Sequence, residues 1–394
     1  MKVLHISTMD KAGAGLCCIR IHQTLLSQGI ESKVLVMKKT TNSPEVYEYG
    51  FYKVKLWRLP SKLLRIMGLK LTDWNMIQFL RAKYHTTYTL PISPVDVTKH
   101  ELCQWADIIH LHWVNNYVDL PSFFRKIEKP VVWTLHDENF FYGIAHHHKN
   151  ILADNPLEIK YRGVRREAVQ SANNLTIVFL SQMMYENFGK EKFIEGRRKT
   201  VINNSVNSQV FKPQNRQEMR KKYGLDMNKL YFVFISMNIA DPNKGLDMLS
   251  EVLQDICPDA EVLAIGDNPW HYTWDNVKPM GLVSSQEQMC ELISCANYFA
   301  MPSYQEAFSQ SPLEAMACGL PVVVFPVSGT QELVNDKNGV ICCDFTKEAL
   351  KLGIGTLMSR TYDSIEIRQD MIEHFSPAVI ANKYIDLYNN IVNE

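Results

Sequence analysis

Short apolar runs rich in valine and isoleucine alternate along the chain with longer amphipathic stretches. This alternation is typical of parallel strands joined by helices. The first half contains five candidate strands: KVLHIS, SKVLVM, IIHLHW, PVVWTLH and LTIVFL. The second half contains five more: LYFVFIS, AEVLAIG, YFAMP, PVVVF and GVICC. The pattern therefore predicts an α/β protein with two doubly wound parallel sheets of similar size.

The predicted domain boundary lies in the polar stretch VINNSVNSQVFKPQNRQ, which separates the two series of strands. A chain of 394 residues is also too long for one ordinary core. We therefore predict an N-terminal domain over 1–205 and a C-terminal domain over 206–375. The final stretch, 376–394, has apolar residues at helical spacing, and we expect a helix that packs back on the N-terminal domain.

Composition narrows the class of protein. With 46% hydrophobic and 21% charged residues and a net charge of zero, the chain fits a globular protein that does not bind nucleic acid in general. Nine cysteines without paired CxxC spacing predict reduced thiols and a cytoplasmic location. The start, MKVLHIST, is predicted to be a first strand and not a signal peptide. No apolar run reaches the ~18 residues that cross a bilayer.

A glycine pair follows the first candidate strand. Gly13 and Gly15 allow the backbone to approach a ligand closely, and the helix after them offers free N–H groups to an anion. A tight turn without a ligand is the alternative. Binding of NAD is disfavoured, because Cys18 replaces the third glycine of GxGxxG and the second strand ends in lysines.

Histidines lie at or near the ends of two candidate strands. The position of His136 at a strand end favours a functional role, whereas for His112 a hydrogen-bonded structural role is favoured. The run His146 to His148 could bind a metal ion. Consecutive histidines diverge in an extended chain and no matching carboxylate pattern follows, so we predict no metal site.

Lys244 and Gly245 stand at the start of an amphipathic helix in the second half. A lysine there adds positive charge to the helix dipole, which suits a phosphate. A solvated surface lysine is the alternative.

Glu306 and Glu314 are separated by seven residues in the stretch YQEAFSQSPLEAMACGLPVV. Ser311 as N-cap, Pro312 at the first helical position and Glu314 at the third would form a capping box. Capping explains Glu314 but not Glu306, which precedes the helix. A carboxylate can accept hydrogen bonds from sugar hydroxyls, and a helix N-terminus suits a phosphate, so the stretch indicates a nucleotide-sugar site.

These motifs resemble the retaining glycosyltransferases of family 4, which have the GT-B fold of two Rossmann-like domains facing across a cleft. The pair Glu306 and Glu314, followed by AMACGLPVV, fits the E-x7-E motif of that family. The similarity also covers Lys244-Gly245, ELVNDKNGV and INNSVNSQVFKP. ADIIHLHWVNN and PVVWTLHDENFF resemble a subgroup that builds bacterial surface polysaccharides, including lipopolysaccharide and capsule.

The resemblance implies roles for individual residues. Glu306 would face the hydroxyls of the donor sugar, and Glu314 would face the ribose diol. Lys244 would hold the diphosphate, with Gly13 and Gly15 approaching it. These donor-site residues are joined by Asn238, Phe308 and Ser309, while His136 would lie at the reaction centre.

The chain departs from the family pattern at three positions. Asn238 stands where many members have an arginine, Ser309 stands where glycine or proline follows Phe308, and Ser205 replaces a glycine. The loss of an arginine makes a catalytically silent sugar-nucleotide-binding subunit one alternative, and a nucleotide-sugar epimerase is another. A glycosidase is disfavoured, because its two carboxylates must flank one bond.

The implied reaction is a metal-independent transfer of a hexose with retention of configuration. The donor would be a UDP- or GDP-linked sugar, the acceptor a glycan or a lipid-linked oligosaccharide, and no cofactor is expected. The stretch 53–83 is basic and amphipathic, with one acidic residue, Asp73. It predicts peripheral contact with an anionic membrane, and an ordinary helical segment with a solvated basic face is the alternative.

Overall fold

The chain folds into two α/β units, each built on a parallel sheet. The computed structural model describes residues 1–58, 72–268, 271–283, 285–306 and 308–393. The first unit comprises Met1–Ile202 together with Ala381–Glu394, and the second comprises Asn203–Ile380. The prediction of two parallel-sheet α/β domains is confirmed.

The sheet of the first unit has seven parallel strands in the order β3-β2-β1-β4-β5-β6-β7. Their bounds are β1 Lys2–Met9, β2 Glu31–Lys38, β3 Val46–Glu48, β4 Ile108–Leu111, β5 Val131–Leu135, β6 Leu175–Phe179 and β7 Arg198–Val201. The central strands are buried on both faces, as expected for a parallel sheet covered by helices.

Eight helices belong to the described part of the first unit, wholly or in part. They are α1 Ala12–Ser27, α2 Phe51–Trp57, α3 Asp73–Tyr84, α4 Glu101–Trp105, α5 Leu120–Lys126, α6 Pro156–Ser171, α7 Gln182–Phe188 and the chain-terminal helix Pro377–Val392, numbered α14 below. Tyr384 and Tyr388 on that terminal helix are buried in the first unit. None of the described helices combines the length and the apolar character needed to cross a membrane.

The sheet of the second unit has six parallel strands in the order β10-β9-β8-β11-β12-β13. Their bounds are β8 Tyr231–Asn238, β9 Glu261–Asp267, β10 Val277–Gly281, β11 Tyr298–Met301, β12 Val322–Val324 and β13 Gly339–Ile341. The helices around it are α8 Arg216–Lys222, α9 Leu246–Ile256, α10 Gln286–Ser294, α11 Gln310–Ala317, α12 Lys347–Ser359 and α13 Ser364–Phe375.

All ten candidate strands are strands of the structure, and three further strands were not predicted. The three, β3, β7 and β10, lie at sheet edges. An edge strand has one strand neighbour and more solvent contact, so its sequence need not be a continuous apolar run. Strand β10 even contains a proline, Pro279, which an edge tolerates because it need not donate to the ladder.

Candidate functional site

The turn that carries Lys244 follows β8, at the carboxyl edge of the second sheet. Asn238 ends the strand, and its side-chain oxygen accepts a hydrogen bond of 3.0 Å from the N–H of Ala240. Gly245 has a φ of +76°, and a Cβ there would lie 2.4 Å from the carbonyl oxygen of Pro302. Glycine is therefore required by both the backbone angle and the close approach of the neighbouring loop.

The loop that carries Glu306 follows β11, the strand next to β8 in the sheet. The N–H of Tyr304 donates to the carbonyl oxygen of Asn243 at 2.9 Å, which ties this loop to the Lys244 turn. As a result, Lys244 Nζ lies 2.6 Å from Glu306 Oε1. The side chains are 27% and 16% exposed, so solvent and ligands can reach the pair.

The ion pair sets the charge of the lysine. Burial lowers the pKa of Lys244, but the carboxylate of Glu306 outweighs this effect, and the net pKa lies above the ordinary value. Lys244 is therefore an ammonium group at neutral pH. A phosphate group of a ligand could take the place of the carboxylate as its partner, since both are anionic oxygen acceptors.

The predicted capping box at Ser311 is wrong. Helix α11 begins at Gln310 and its N-cap is Ser309, so Pro312 occupies the third helical position and Glu314 the fifth. The hydroxyl of Ser309 does not cap the helix but lies 3.2 Å from the sulfur of Met301. Proline is tolerated there because the first-turn N–H groups have no partner within the helix.

Six residues assigned to the donor site come from three neighbouring segments of the second unit. Asn238 ends β8 and Lys244 follows it, Glu306 and Phe308 follow β11, and Ser309 and Glu314 belong to the start of α11. Phe308 is buried and its ring centroid lies 6.4 Å from that of Phe375. Glu314 is half-buried. These residues lie at the carboxyl edge of a parallel sheet, where such folds bind ligands.

The glycine pair lies in the first turn of α1, in the first unit. A Cβ at Gly15 would lie 2.6 Å from the carbonyl oxygen of Met9, so packing requires this glycine. A Cβ at Gly13 would meet no described atom within 4 Å, so the fold itself does not require glycine there. Asp10 anchors the turn by accepting hydrogen bonds from the N–H groups of Thr40 and Thr41.

Asp137 is the centre of a second polar cluster in the first unit, next to His136 at the end of β5. Its carboxylate lies 2.6 Å from Nδ1 of His146 and accepts a hydrogen bond of 2.8 Å from Nε1 of Trp113. Burial raises the pKa of Asp137, but His146 and the backbone N–H of Asn139 outweigh it and bring the pKa below its usual range. Asp137 is therefore ionised.

The first residue of the histidine run, His146, is engaged by protein groups. His146 Nδ1 contacts Asp137 and its Nε2 lies 2.9 Å from the hydroxyl of Thr89, so both ring nitrogens already have partners. The grouping of potential metal ligands that the described part of the chain does contain is His5, His110 and His112, whose nitrogens lie within 4.8 Å of one another.

A chain of three histidines is the feature that the sequence reasoning missed. Nδ1 of His5 lies 3.0 Å from Nε2 of His112, and Nδ1 of His112 lies 3.1 Å from Nε2 of His136. Burial lowers the pKa of all three rings, that of His136 to about 4. His110, paired with His5 in the strand register, contacts the hydroxyls of Tyr388 and Thr134 instead.

The basic stretch 53–83 lies partly outside the described residues, since 59–71 are not among them. Within the described part, Arg58 and Arg81 lie over the ring of Trp74, with their guanidinium carbons 4.5 and 5.4 Å from its centroid. Trp74 is buried, and burial lowers the pKa of both arginines. These two cations therefore pack within the fold, while Lys53, Lys55 and Lys83 are exposed.

Comparison with known proteins gives a family match within the second unit. Residues 229–360 match the family model described as Glycosyl transferases group 1. N-acetyl-alpha-D-glucosaminyl L-malate synthase of Bacillus anthracis is 22% identical over 208 residues, which cover 49% of this chain and 54% of that protein. The chain spans about half the length of the curated relatives it matches.

Solved structures show the fold over the whole chain. Anabaena HepE in complex with UDP-glucose superposes with a TM-score of 0.65 at 18% identity, over 99% of this chain and 100% of that one. WaaG, a glycosyltransferase involved in lipopolysaccharide biosynthesis, gives a TM-score of 0.63 at 15% identity, over 98% and 99%. The predicted resemblance is confirmed by the group 1 domain and by these GT-B neighbours.

Proposed function

We propose that this chain, which carries a Glycosyl transferases group 1 domain over residues 229–360, is a glycosyltransferase that uses a nucleotide-sugar donor. The acceptor is a glycan or a lipid-linked oligosaccharide of a bacterial surface polysaccharide. The transfer retains the configuration of the sugar and needs no metal ion. The surface-polysaccharide part rests on the resemblance of ADIIHLHWVNN and PVVWTLHDENFF to enzymes of that kind.

The observation that carries the proposal is the ion pair between Lys244 and Glu306. It joins the two positions to which the family resemblance gives the diphosphate and the sugar, and it lies within the segment that the family model matches. The loop contacts at Gly245 and Tyr304 hold the pair at the carboxyl edge of the sheet. The UDP-glucose bound to HepE supports a nucleotide sugar as the ligand.

In the proposed reaction the bond between the anomeric carbon and the phosphate oxygen breaks. Lys244 and the N–H groups at the start of α11 stabilise the charge that develops on the leaving diphosphate. The acceptor oxygen bonds to the anomeric carbon on the same face, and its proton passes to the departing phosphate. Glu306 accepts hydrogen bonds from the sugar and so holds the anomeric carbon in position.

A sugar-nucleotide binder without transferase activity is the second candidate. The side-chain oxygen of Asn238 is engaged in its own turn, at the position where many family members have an arginine. That position therefore offers no positive charge to the diphosphate of a donor. A binder would retain affinity for the donor without turning it over.

Incubation with labelled nucleotide sugars separates the candidates. A thermal-shift screen with UDP, GDP and their sugars first selects the donor. A glycosyltransferase then releases nucleoside diphosphate, slowly to water and faster with an acceptor, and the anomeric configuration of the product is read by NMR. Affinity without release indicates the silent binder, and isomerised sugar indicates an epimerase. An absence of binding to every nucleotide sugar contradicts the proposal.

A further inference from the structure

The histidine chain of the first unit runs head to tail. Each contact joins Nδ1 of one ring to Nε2 of the next, from His5 through His112 to His136. His5 and His112 are 0% and 2% exposed, whereas His136 is half-buried at the end of β5. The far nitrogen of the chain, Nε2 of His5, is buried and has no hydrogen-bond partner among the described residues.

A neutral imidazole carries one N–H group and one lone pair, so the two contacts can both be hydrogen bonds in only two ways. In the first, every ring is protonated at Nδ1, and each buried ring donates towards His136. In the second, every ring is protonated at Nε2, and the donors point towards His5. Mixed arrangements place two N–H groups or two lone pairs against each other and lose a hydrogen bond.

The unpartnered nitrogen of His5 decides between the two arrangements. Protonation at Nε2 would bury an N–H group without an acceptor, which is rare and costly in folded proteins. Protonation at Nδ1 leaves a lone pair there and turns the N–H towards His112. The low pKa values that burial gives to His5 and His112 exclude a second proton on either ring at neutral pH.

We infer that His5 and His112 are positioning residues that hold His136 as the Nδ1–H tautomer, with its Nε2 accepting from His112. His136 then presents an N–H donor, and not a base, on the side away from the chain. The tautomer does not depend on the proposed function. Only the role of the N–H rests on that function, since an N–H of this kind suits an oxygen of a sugar or phosphate. It also agrees with a transfer in which the leaving phosphate, and not a protein base, takes the proton.

Nitrogen-15 NMR of the histidine rings tests the inference directly, because protonated and bare imidazole nitrogens have well separated shifts. A His136→Asn variant identifies the signals of that ring. At neutral pH the intact chain is expected to show His136 with its proton on Nδ1. A free histidine side chain in water favours Nε2–H, so an Nδ1–H tautomer at His136 would be the signature of the histidine chain. A dominant Nε2–H tautomer at His136 overturns the inference, and this measurement on the unsubstituted protein needs no further variant.

Two variants extend the test. His112→Phe removes the donor to His136, so the Nδ1–H tautomer should lose its dominance. His100→Gln is the control, since the ring of His100 accepts a hydrogen bond from the N–H of Leu102 at the start of α4 and lies outside the histidine chain. It should leave the tautomer of His136 unchanged. An unchanged tautomer in a folded His112→Phe variant contradicts a positioning role for His112.

A metal ion is the competing explanation of the cluster, because His5, His110 and His112 could together offer three nitrogens. Both nitrogens of His110 contact hydroxyl groups, so a metal would have to displace one of those contacts. Addition of Zn²⁺ should leave the ring signals of His5, His110 and His112 unchanged. A stoichiometric shift of all three signals overturns the inference. Because the tautomer is read without substrate, its outcome is independent of whether sugar transfer is detected.

Discussion

Lys244 and Glu306 form an ion pair of 2.6 Å between loops that leave neighbouring strands of the second sheet. The pair is well placed for exchange of partners. The ammonium of Lys244 would leave the carboxylate for a diphosphate, and the freed carboxylate of Glu306 would accept hydrogen bonds from the sugar. The ion pair thus keeps Lys244 charged and orients both groups before a donor binds.

Lys244→Ala should weaken binding of the nucleoside diphosphate much more than binding of the matching nucleoside. A hydrogen bond to a charged group contributes about 1.5–3 kcal/mol, which corresponds to roughly a 10- to 150-fold loss of affinity. Isothermal titration with both ligands measures the difference. Lys337→Ala is the control, because Lys337 makes an exposed ion pair with Glu366 in the same unit. Equal loss for diphosphate and nucleoside would remove the phosphate role.

Gly13→Ala should preserve the fold but weaken donor binding. The described structure has open space for a Cβ at Gly13, and alanine is preferred in a helix by about 0.5–1 kcal/mol, so stability should rise slightly. A ligand that approaches the backbone at Gly13 would meet the new methyl group. Gly163→Ala in α6 is the matched control, since that glycine also has open space around its Cβ.

The two glycine variants are compared by thermal unfolding and by the Michaelis constant for the donor. The expected result is a raised Michaelis constant for Gly13→Ala alone. If both variants bind the donor like the unsubstituted protein, the helix start at Gly13 does not contact it.

The first unit should lose stability as the pH falls below about 6.5. Burial lowers the pKa of His5, His22, His110 and His112, that of His22 to about 4. Between the folded and unfolded pKa values only the unfolded state binds a proton at each ring. Stability is therefore full above the unfolded value and declines as the pH falls, by about 1.4 kcal/mol per pH unit for each ring.

Urea unfolding followed by tryptophan fluorescence measures this loss, because five of the seven tryptophans lie in residues 1–202. The His22→Gln variant should reduce the pH dependence by about one proton. A midpoint that does not change between pH 7 and pH 5 would show that these rings are not held neutral in the fold.

Removal of the exposed lysines Lys53, Lys55 and Lys83 should reduce binding to anionic vesicles at low salt. Each lysine near such a surface contributes about 1 kcal/mol. Arg58 and Arg81 are left in place, because they pack on Trp74 and their loss would disturb the fold. The triple variant at Lys337, Lys347 and Lys351 in the second unit is the charge-matched control. Unchanged binding of the first variant rejects membrane contact through these lysines.

The sequence predicts the central strands of both sheets well because parallel strands buried on both faces require long apolar runs. It does not predict β3, β7 and β10, whose sequences VYE, RKTV and VKPMG reflect the solvent at sheet edges. The start of α11 was misplaced by two residues because Ser309 and Ser311 are equally suitable N-caps by type.

The histidine chain could not be predicted, although its signal is visible in KVLHIS and IIHLHW. A histidine inside an apolar run marks a buried polar group that needs a partner, but the partner depends on strand order and register. The pairing of β1 with β4 sets His5 opposite His110. Only this pairing reveals that His112 contacts His5 and that His136 contacts His112. Lys244 and Glu306 were more accessible to prediction, because each stands in a local motif.

The most direct test of the account is the rate of donor turnover by the unsubstituted protein and by Glu306→Ala, with Glu366→Ala as the surface control. The account predicts that the unsubstituted protein and the control release nucleoside diphosphate from the selected nucleotide sugar. It also predicts that Glu306→Ala releases no nucleoside diphosphate, although this variant shows an intact fold by thermal unfolding and still binds the nucleotide. Turnover by Glu306→Ala at the rate of the unsubstituted protein would contradict the central claim.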